Sequence, residues 1–256
     1  MTTQSTHIDF DAALNAEQRA VACAQDGPAL VLAAAGTGKT RTLVYRVAYL
    51  VERGIDPARI LLLTFTNRAA REMLERATEL VGNVGGIWGG TFHHMANRLL
   101  RRHADLIGFS RTYTILDRDD SLKLIRNAMQ DFKLKGREFP RPAVLMSILG
   151  SAVNSETPLQ ELVDDWFADL VGQRPFGPED LMRVLNAYIE RKRELDAMDF
   201  DDLLVNGLRL FREHEGITRK YSEQFLYVLV DEYQDTNLIQ AEWIDRVAGE
   251  HRNLLV

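Results

Sequence analysis

Pro28-Ala29-Leu30-Val31-Leu32-Ala33 runs without interruption into Ala34-Ala35-Gly36-Thr37-Gly38-Lys39-Thr40. The apolar half reads as a buried strand, and an amphipathic helix is expected from Lys39 to about Val51. Between them, small residues and two glycines let the backbone wrap closely enough to aim several N–H groups at one phosphate. The stretch from Ala33 to Thr40 matches the phosphate-loop pattern, except that its first glycine is Ala33. In that pattern Lys39 reaches the β- and γ-phosphates and the Thr40 hydroxyl ligates Mg²⁺. A glycine-rich turn without a ligand is the competing reading, and the Gly-Lys-Thr ending in strand-to-helix context argues against it.

Outward from this turn, short apolar runs alternate with helical patterns. Ile60-Leu61-Leu62-Leu63-Thr64-Phe65 reads as a second strand, followed by a helix from about Asn67 to Leu80. Tyr227-Val228-Leu229-Val230 reads as a third, followed by a helix near Leu238 to Val247, and Asn253-Leu254-Leu255-Val256 begins a fourth. Continuous apolar strands alternating with helices predict an α/β fold, a parallel sheet with helices on both faces. From about Asp117 to Asp196 the pattern is helical, with breaks at Gly136, Pro140, Pro142, Pro158, Pro175 and Pro178, and reads as a mostly helical insertion. Beyond it, Met198-Asp199-Phe200-Asp201-Asp202-Leu203-Leu204 carries a helix start, with Asp199 as N-cap and Met198 packing on Leu203. Parallel strands bring their carboxyl ends to one sheet edge, so Asp231 and Glu232, which follow the third strand, are expected beside the phosphate loop. There Asp231 holds the metal and Glu232 orients and deprotonates water.

Composition bounds these readings. Of 256 residues, 46% are hydrophobic and 27% charged, which excludes collagen, a disordered tail and a disulfide-stapled miniprotein. Cys23 is the only cysteine, so no intrachain disulfide forms. No apolar run reaches the roughly 20 residues that span a bilayer, and no signal peptide opens the chain, so the expectation is a cytoplasmic protein without a membrane partner. The net charge of −6 argues against a general nucleic-acid binder, but it is unevenly spread. Residues 1–115 carry 13 basic and 10 acidic side chains, the remainder 18 and 27. So small a difference also fits ordinary solvated helix faces.

Asp231-Glu232-Tyr233-Gln234-Asp235-Thr236-Asn237 resembles motif II of the UvrD/Rep/PcrA-type superfamily 1 DNA helicases, with Tyr233 where Phe is common. Leu14-Asn15-Ala16-Glu17-Gln18-Arg19-Ala20-Val21 resembles their Q motif, Thr64-Phe65-Thr66-Asn67-Arg68-Ala69-Ala70 their motif Ia, and Gly90-Thr91-Phe92-His93-His94 their motif Ib. Met198 to Leu204 resembles the stretch where the chain re-enters the core after the inserted 1B subdomain. The resemblance implies a RecA-like P-loop motor domain over 1–116 and 197–256, interrupted by a helical 1B-like subdomain over 117–196. It implies ATP and Mg²⁺ as cofactors. Gln18 should read adenine with Arg41 against the base, and Ala35, Gly36, Thr37, Gly38, Lys39 and Thr40 should cradle the phosphates. Thr40 and Asp231 should hold the metal, with Lys39, Asp231 and Glu232 as the catalytic set. Phe65, Thr66, Asn67, Thr91, Phe92 and His93 should line a single-stranded DNA track.

Each DNA residue has a plainer rival: Phe65 and Phe92 also fit a core, and His93 and His94 a polar surface. Arg98, Arg101 and Arg102 share a helix face that fits phosphate contact or simple solvation equally. Tyr188 and Lys192, at i and i+4, also fit a DNA face near the exit from the insertion. Gln234 and Gln240 fit either coupling or structural roles, and Asp164, Asp165 and Asp169 a solvated helix side.

The family pattern continues into motif III and a second RecA-like domain, neither of which the 256 residues contain. The expectation is therefore the N-terminal part of a 3′-to-5′ DNA helicase of the repair or replication-restart class. Its partners would be single-stranded DNA, single-/double-stranded junctions, the second motor domain, and repair or replication proteins. Alone, the chain is expected to bind Mg·ATP and, weakly, single-stranded DNA with little turnover. The alternative is a nucleotide-dependent single-stranded-DNA-binding or regulatory module without helicase activity.

Overall fold

The structure, a computed structural model, describes residues 8–34, 36–82, 84–134, 139–170 and 174–256. In chain order the helices are α1 (Phe10–Ala13), α2 (Ala16–Ala22), α3 (Lys39–Glu52), α4 (Asn67–Val81), α5 (Phe92–His103) and α6 (Arg118–Asp131). They continue as α7 (Pro142–Ser155), α8 (Leu159–Ala168), α9 (Pro178–Glu194), α10 (Phe200–Glu213), α11 (Glu215–Gln224) and α12 (Leu238–Ala248). The strands are β1 (Ile60–Leu63), β2 (Trp88–Gly90), β3 (Thr114–Ile115), β4 (Ala197–Met198), β5 (Tyr227–Val230) and β6 (Leu254–Leu255). Two compact units result: residues 1–95, 211–236 and 241–256 form the first, and 96–210 with 237–240 the second.

The first unit is built on a parallel sheet of order β2-β1-β5-β6. Every residue of β1 and β5 is buried, which is why these strands read as continuous apolar runs instead of alternating ones. Ile60, Leu62, Tyr227 and Leu229 pack on one face against Leu43, Val44, Val47 and Leu50 of α3 and Met73 and Ala77 of α4. The alternate residues Leu61, Leu63, Val228 and Val230 are also at most 2% exposed, so the opposite face is covered too. An aromatic cluster in this unit sets Trp88 edge-on to Phe225 at 5.1 Å and Phe211 edge-on to Trp243 at 5.2 Å.

The expected strand at Pro28–Ala33 needs correction. Ala29 and Val31 donate N–H bonds to the carbonyls of Leu254 and Val256, at 2.8 Å each, but among the described residues only one bridge forms, between Ala29 and Leu255. Leu30 and Leu32 are 68% and 88% exposed. An apolar run becomes a buried strand only when neighbours bond both edges and cover both faces. Among the described residues this segment is bonded on the β6 side alone.

The second unit is predominantly helical. Leu145 and Ile148 of α7, Val163 of α8 and Leu181, Val184 and Leu185 of α9 pack on Ile125 and Ala128 of α6. Two-residue strands β3 and β4 pair in parallel, a feature too short for sequence periodicity to announce. The α10 start follows expectation: Asp199 Oδ1 accepts the Asp202 N–H and Asp202 Oδ2 the Asp199 N–H, both at 2.9 Å. Gly136, one expected helix break, lies outside the described residues. Among the described residues no helix is long and apolar enough to cross a membrane.

Candidate nucleotide site and adjoining loops

One wall of the site starts at α2. Asn15 caps it reciprocally: its Oδ1 accepts the Gln18 N–H at 2.8 Å, and its own N–H donates to Gln18 Oε1 at 3.3 Å. The remaining Gln18 group, Nε2, donates to the Thr37 carbonyl at 2.9 Å, so α2 holds the phosphate loop directly. Gly36 and Gly38 have φ of 82° and 90°. At Gly38 a Cβ would lie 2.6 Å from Gln18 Nε2, so both backbone conformation and space require glycine there. Gly38 is the N-cap of α3 and offers no side-chain cap, which leaves the first N–H groups of that helix to an anion.

The opposite wall is the end of β5. The Asp231 N–H donates to the Leu63 carbonyl at 2.9 Å, extending the ladder one residue past the strand. Its carboxyl is 8% exposed as a residue and has no ion-pair partner among the described residues. Burial, and then the neighbouring Glu232 charge, raise its pKa above the ordinary Asp value. Glu232 adopts a left-handed conformation, φ 53° and ψ 44°, and its carboxylate accepts from Gln234 Nε2 and meets Lys39 Nζ at 3.4 Å. The Gln234 hydrogen bond, aided by Lys39, holds the Glu232 pKa below the ordinary Glu value.

Between the walls lies a cleft of about 840 Å³, lined by Gln18, Thr37, Lys39, Asp231, Glu232 and Gln234 among others. That volume is in the range of cofactor pockets. Gly36, Gly38, Thr40 and Arg41 are not among the lining residues. Thr40 is the second residue of α3, and Arg41 donates from Nη2 to the Ala13 carbonyl at 2.9 Å with its guanidinium 5.3 Å from the Tyr45 ring centre. Ala35 lies outside the described residues.

Two further loops leave the same sheet edge side by side, because Leu63 of β1 pairs with Gly90 of β2. After β1, Thr64 is buried and its Oγ1 donates to the Thr66 carbonyl at 2.8 Å, while Thr66 Oγ1 caps α4 by accepting the Ala69 N–H at 3.1 Å. Phe65 is 50% exposed, and Asn67 is exposed beside it. After β2, Thr91 Oγ1 accepts the His94 N–H at 3.2 Å, and half-buried His93 has its pKa lowered by desolvation.

The chain matches the family model for the UvrD/REP helicase N-terminal domain over residues 14–256. It is 38% identical over 248 residues to the ATP-dependent DNA helicase PcrA of Bacillus subtilis. To the ATP-dependent DNA helicase PcrA of Staphylococcus aureus (strain NCTC 8325 / PS 47) it is 36% identical over 247 residues. The chain belongs to the UvrD/REP helicase N-terminal domain family. Each alignment covers 95% of this chain and 32% of the relative, so the chain spans about a third of the length of these helicases.

Within this UvrD/REP domain, burial favours the plainer rival at one expected DNA contact, Phe92, and at the alternative weighed for Tyr188 and Lys192. Phe92 is 5% exposed and sits edge-on to Trp243 at 6.5 Å, so it is core and not a stacking platform. Tyr188 and Lys192 are also buried: Lys192 Nζ donates to Asp199 Oδ2 and Asp202 Oδ2 at 2.6 Å each, and the Tyr188 hydroxyl to Asp199 Oδ2 at 2.7 Å. The i, i+4 spacing correctly put both on one helix face, but on the inward one. Of the three arginines on α5, Arg101 donates to the Tyr113 carbonyl at 2.7 Å and lies 3.9 Å over its ring, a structural contact. Gln240 is buried and accepts the Asn237 N–H at 3.2 Å, closing the N-terminus of α12. Asp164, Asp165 and Asp169 are exposed, as a solvated helix side requires. Asn15, which the motifs do not mark as a site residue, caps α2 and lines the cleft. The Asn-x-x-Gln spacing that ends in Gln18 is its capping-box signal.

Proposed function

We propose that the chain is the ATP-binding N-terminal part of an ATP-dependent 3′-to-5′ DNA helicase that hydrolyses ATP to move along single-stranded DNA. The observation that supports it best is Lys39 of the phosphate loop facing Glu232 at 3.4 Å across the cleft. A cation and a carboxylate held there provide a phosphate anchor and a base for water. Gln18 and Arg41 take the adenine; Gly36, Thr37, Gly38 and Lys39, with Ala35, take the phosphates.

A buried Asp231 carboxyl without a protein cation suits a hard divalent ion, and Asp231 with Thr40 would hold Mg²⁺. When bound, that ion neutralises charge on the phosphate oxygens. Glu232 accepts the proton of the attacking water as its oxygen bonds to the γ-phosphorus. The bridging oxygen leaves with the bonding electrons on ADP.

Residues 1–116 and 197–256 form the motor domain in this reading, and 117–196 a 1B-like insertion. Phe65, Thr66, Asn67, Thr91 and His93 bind single-stranded DNA, with exposed Phe65 as the stacking surface. Single-/double-stranded junctions are the working substrate, and the partners are a second RecA-like domain and repair or replication proteins. The setting is cytoplasmic. Alone, the chain binds nucleotide and turns over little, because arginine fingers from a second domain contribute about 10³–10⁵ in rate at related sites.

The test is DNA-stimulated ATP hydrolysis by the longer protein. Lys39→Ala and Glu232→Gln should each abolish it, and retention in either refutes the catalytic assignment. Unwinding of a duplex with a 3′ overhang but not a 5′ overhang tests the direction.

A further inference from the structure

Gln234 lies outside the catalytic set, yet its side chain is the nearest neutral partner of the proposed base. The turn over Tyr233–Asp235 is tightened by Asp235 N–H donating to the Glu232 carbonyl at 3.0 Å and Thr236 Oγ1 donating to the Tyr233 carbonyl at 2.8 Å. This turn returns residue 234 to the side of residue 232, where Gln234 Nε2 donates to Glu232 Oε2. A carboxylate only accepts, so the amide must present its NH₂ group here. Lys39 meets the same oxygen, Oε2, while among the described residues Oε1 receives no hydrogen bond.

We propose that Gln234 is a positioning residue for ATP hydrolysis, tethering Glu232 by Oε2 so that Oε1 is presented to the attacking water. The inference rests on Glu232 being the base. Lys39 holds the carboxylate only until phosphate arrives, because a triphosphate draws the ammonium toward itself. From then on phosphate charge repels Glu232, and a neutral donor is the kind of group that keeps its rotamer without competing for the phosphates. Gln234 lines the cleft and is exposed, so its removal leaves no cavity in the core.

The experiment uses this chain in excess over labelled ATP with Mg²⁺, measuring the single-turnover hydrolysis rate and the ATP dissociation constant separately. Gln234→Ala should slow the rate about 10- to 100-fold, the range for a misplaced catalytic group, with the dissociation constant within about twofold. Gln234→Glu, which sets two carboxylates together, should be at least as slow. An unchanged rate overturns the proposal, as does a loss confined to binding. Glu232→Gln separates the two levels: if it leaves the rate intact, the base assignment fails, whereas an inactive Glu232→Gln beside an unimpaired Gln234→Ala sinks the tether alone. Where turnover is too slow to time, the side-chain amide resonances of Gln234, identified by their loss in Gln234→Ala, give the answer. They should move in Glu232→Ala and hold their position in Lys39→Ala; indifference to Glu232→Ala refutes the tether.

Discussion

Replacing Glu232 by Gln should tighten the binding of a non-hydrolysable ATP analogue. In the structure the phosphate-binding ammonium is already engaged: Lys39 Nζ lies 3.4 Å from Glu232 Oε2, and the side chains are 28% and 39% exposed. Coulomb's law at that separation gives about 1 kcal/mol in a water-like dielectric and about 5 kcal/mol at an effective constant of 20. The exposure of both partners favours the lower figure, and solvated ion pairs commonly measure about 0.2–1 kcal/mol. Phosphate has to displace this pair, so its removal should improve affinity by up to about fivefold. Loss of repulsion between Glu232 and the phosphates acts in the same direction. Calorimetric titration of the chain in low and high salt is the assay, and the gain should shrink as salt screens the pair. Unchanged or weaker binding by Glu232→Gln in low salt would refute the idea that the carboxylate occupies the lysine in the empty site.

Other outcomes follow from burial. Phe92→Ala should destabilise the chain by about 3–5 kcal/mol in denaturant titration, as for other buried aromatics. Phe65→Ala should barely shift the melting temperature yet weaken single-stranded DNA binding in a fluorescence assay. Lys192→Met removes the cation between Asp199 and Asp202 and should cost about 3–5 kcal/mol at pH 7, less near pH 5, by chemical denaturation. Burial, with the Asp199 charge against the attraction of Lys192, pushes the Asp202 carboxyl up to about 6. The folded state therefore binds this proton more tightly than the unfolded one. The associated stability is full below about pH 4 and lost as pH rises through 6. Stability profiles of wild type and Asp202→Asn should thus diverge between pH 4 and 7, with the variant gaining relative to wild type as pH rises.

The sheet and the cleft were legible in the sequence for one physical reason. Strands covered on both faces, such as Ile60–Leu63 and Tyr227–Val230, have no polar positions, and their parallel order follows from the helices between them. The same signal misled at Leu30 and Leu32, because apolarity reports a preference for burial and not the presence of a covering neighbour. Periodicity likewise joined Tyr188 to Lys192 on one face without saying that the face turns inward, where Asp199 and Asp202 compensate the lysine. Phe92 shows the corresponding limit for motifs. A residue beside an exposed loop is still a helix residue, and Phe92 packs against Trp243, 151 positions away in the chain. The hydrogen bond from Gln234 to Glu232 depends on a left-handed residue at 232, a conformation that no pattern of non-glycine residues announces.

The most direct measurement is titration of Mg·ATP into the 256-residue chain and its Lys39→Ala variant, with the melting temperature of each recorded without nucleotide. The wild type should bind at one site and the variant should lose binding, with melting temperatures within a few degrees of each other. A wild type that binds no nucleotide, or a variant that binds it equally well, would contradict the assignment of the cleft.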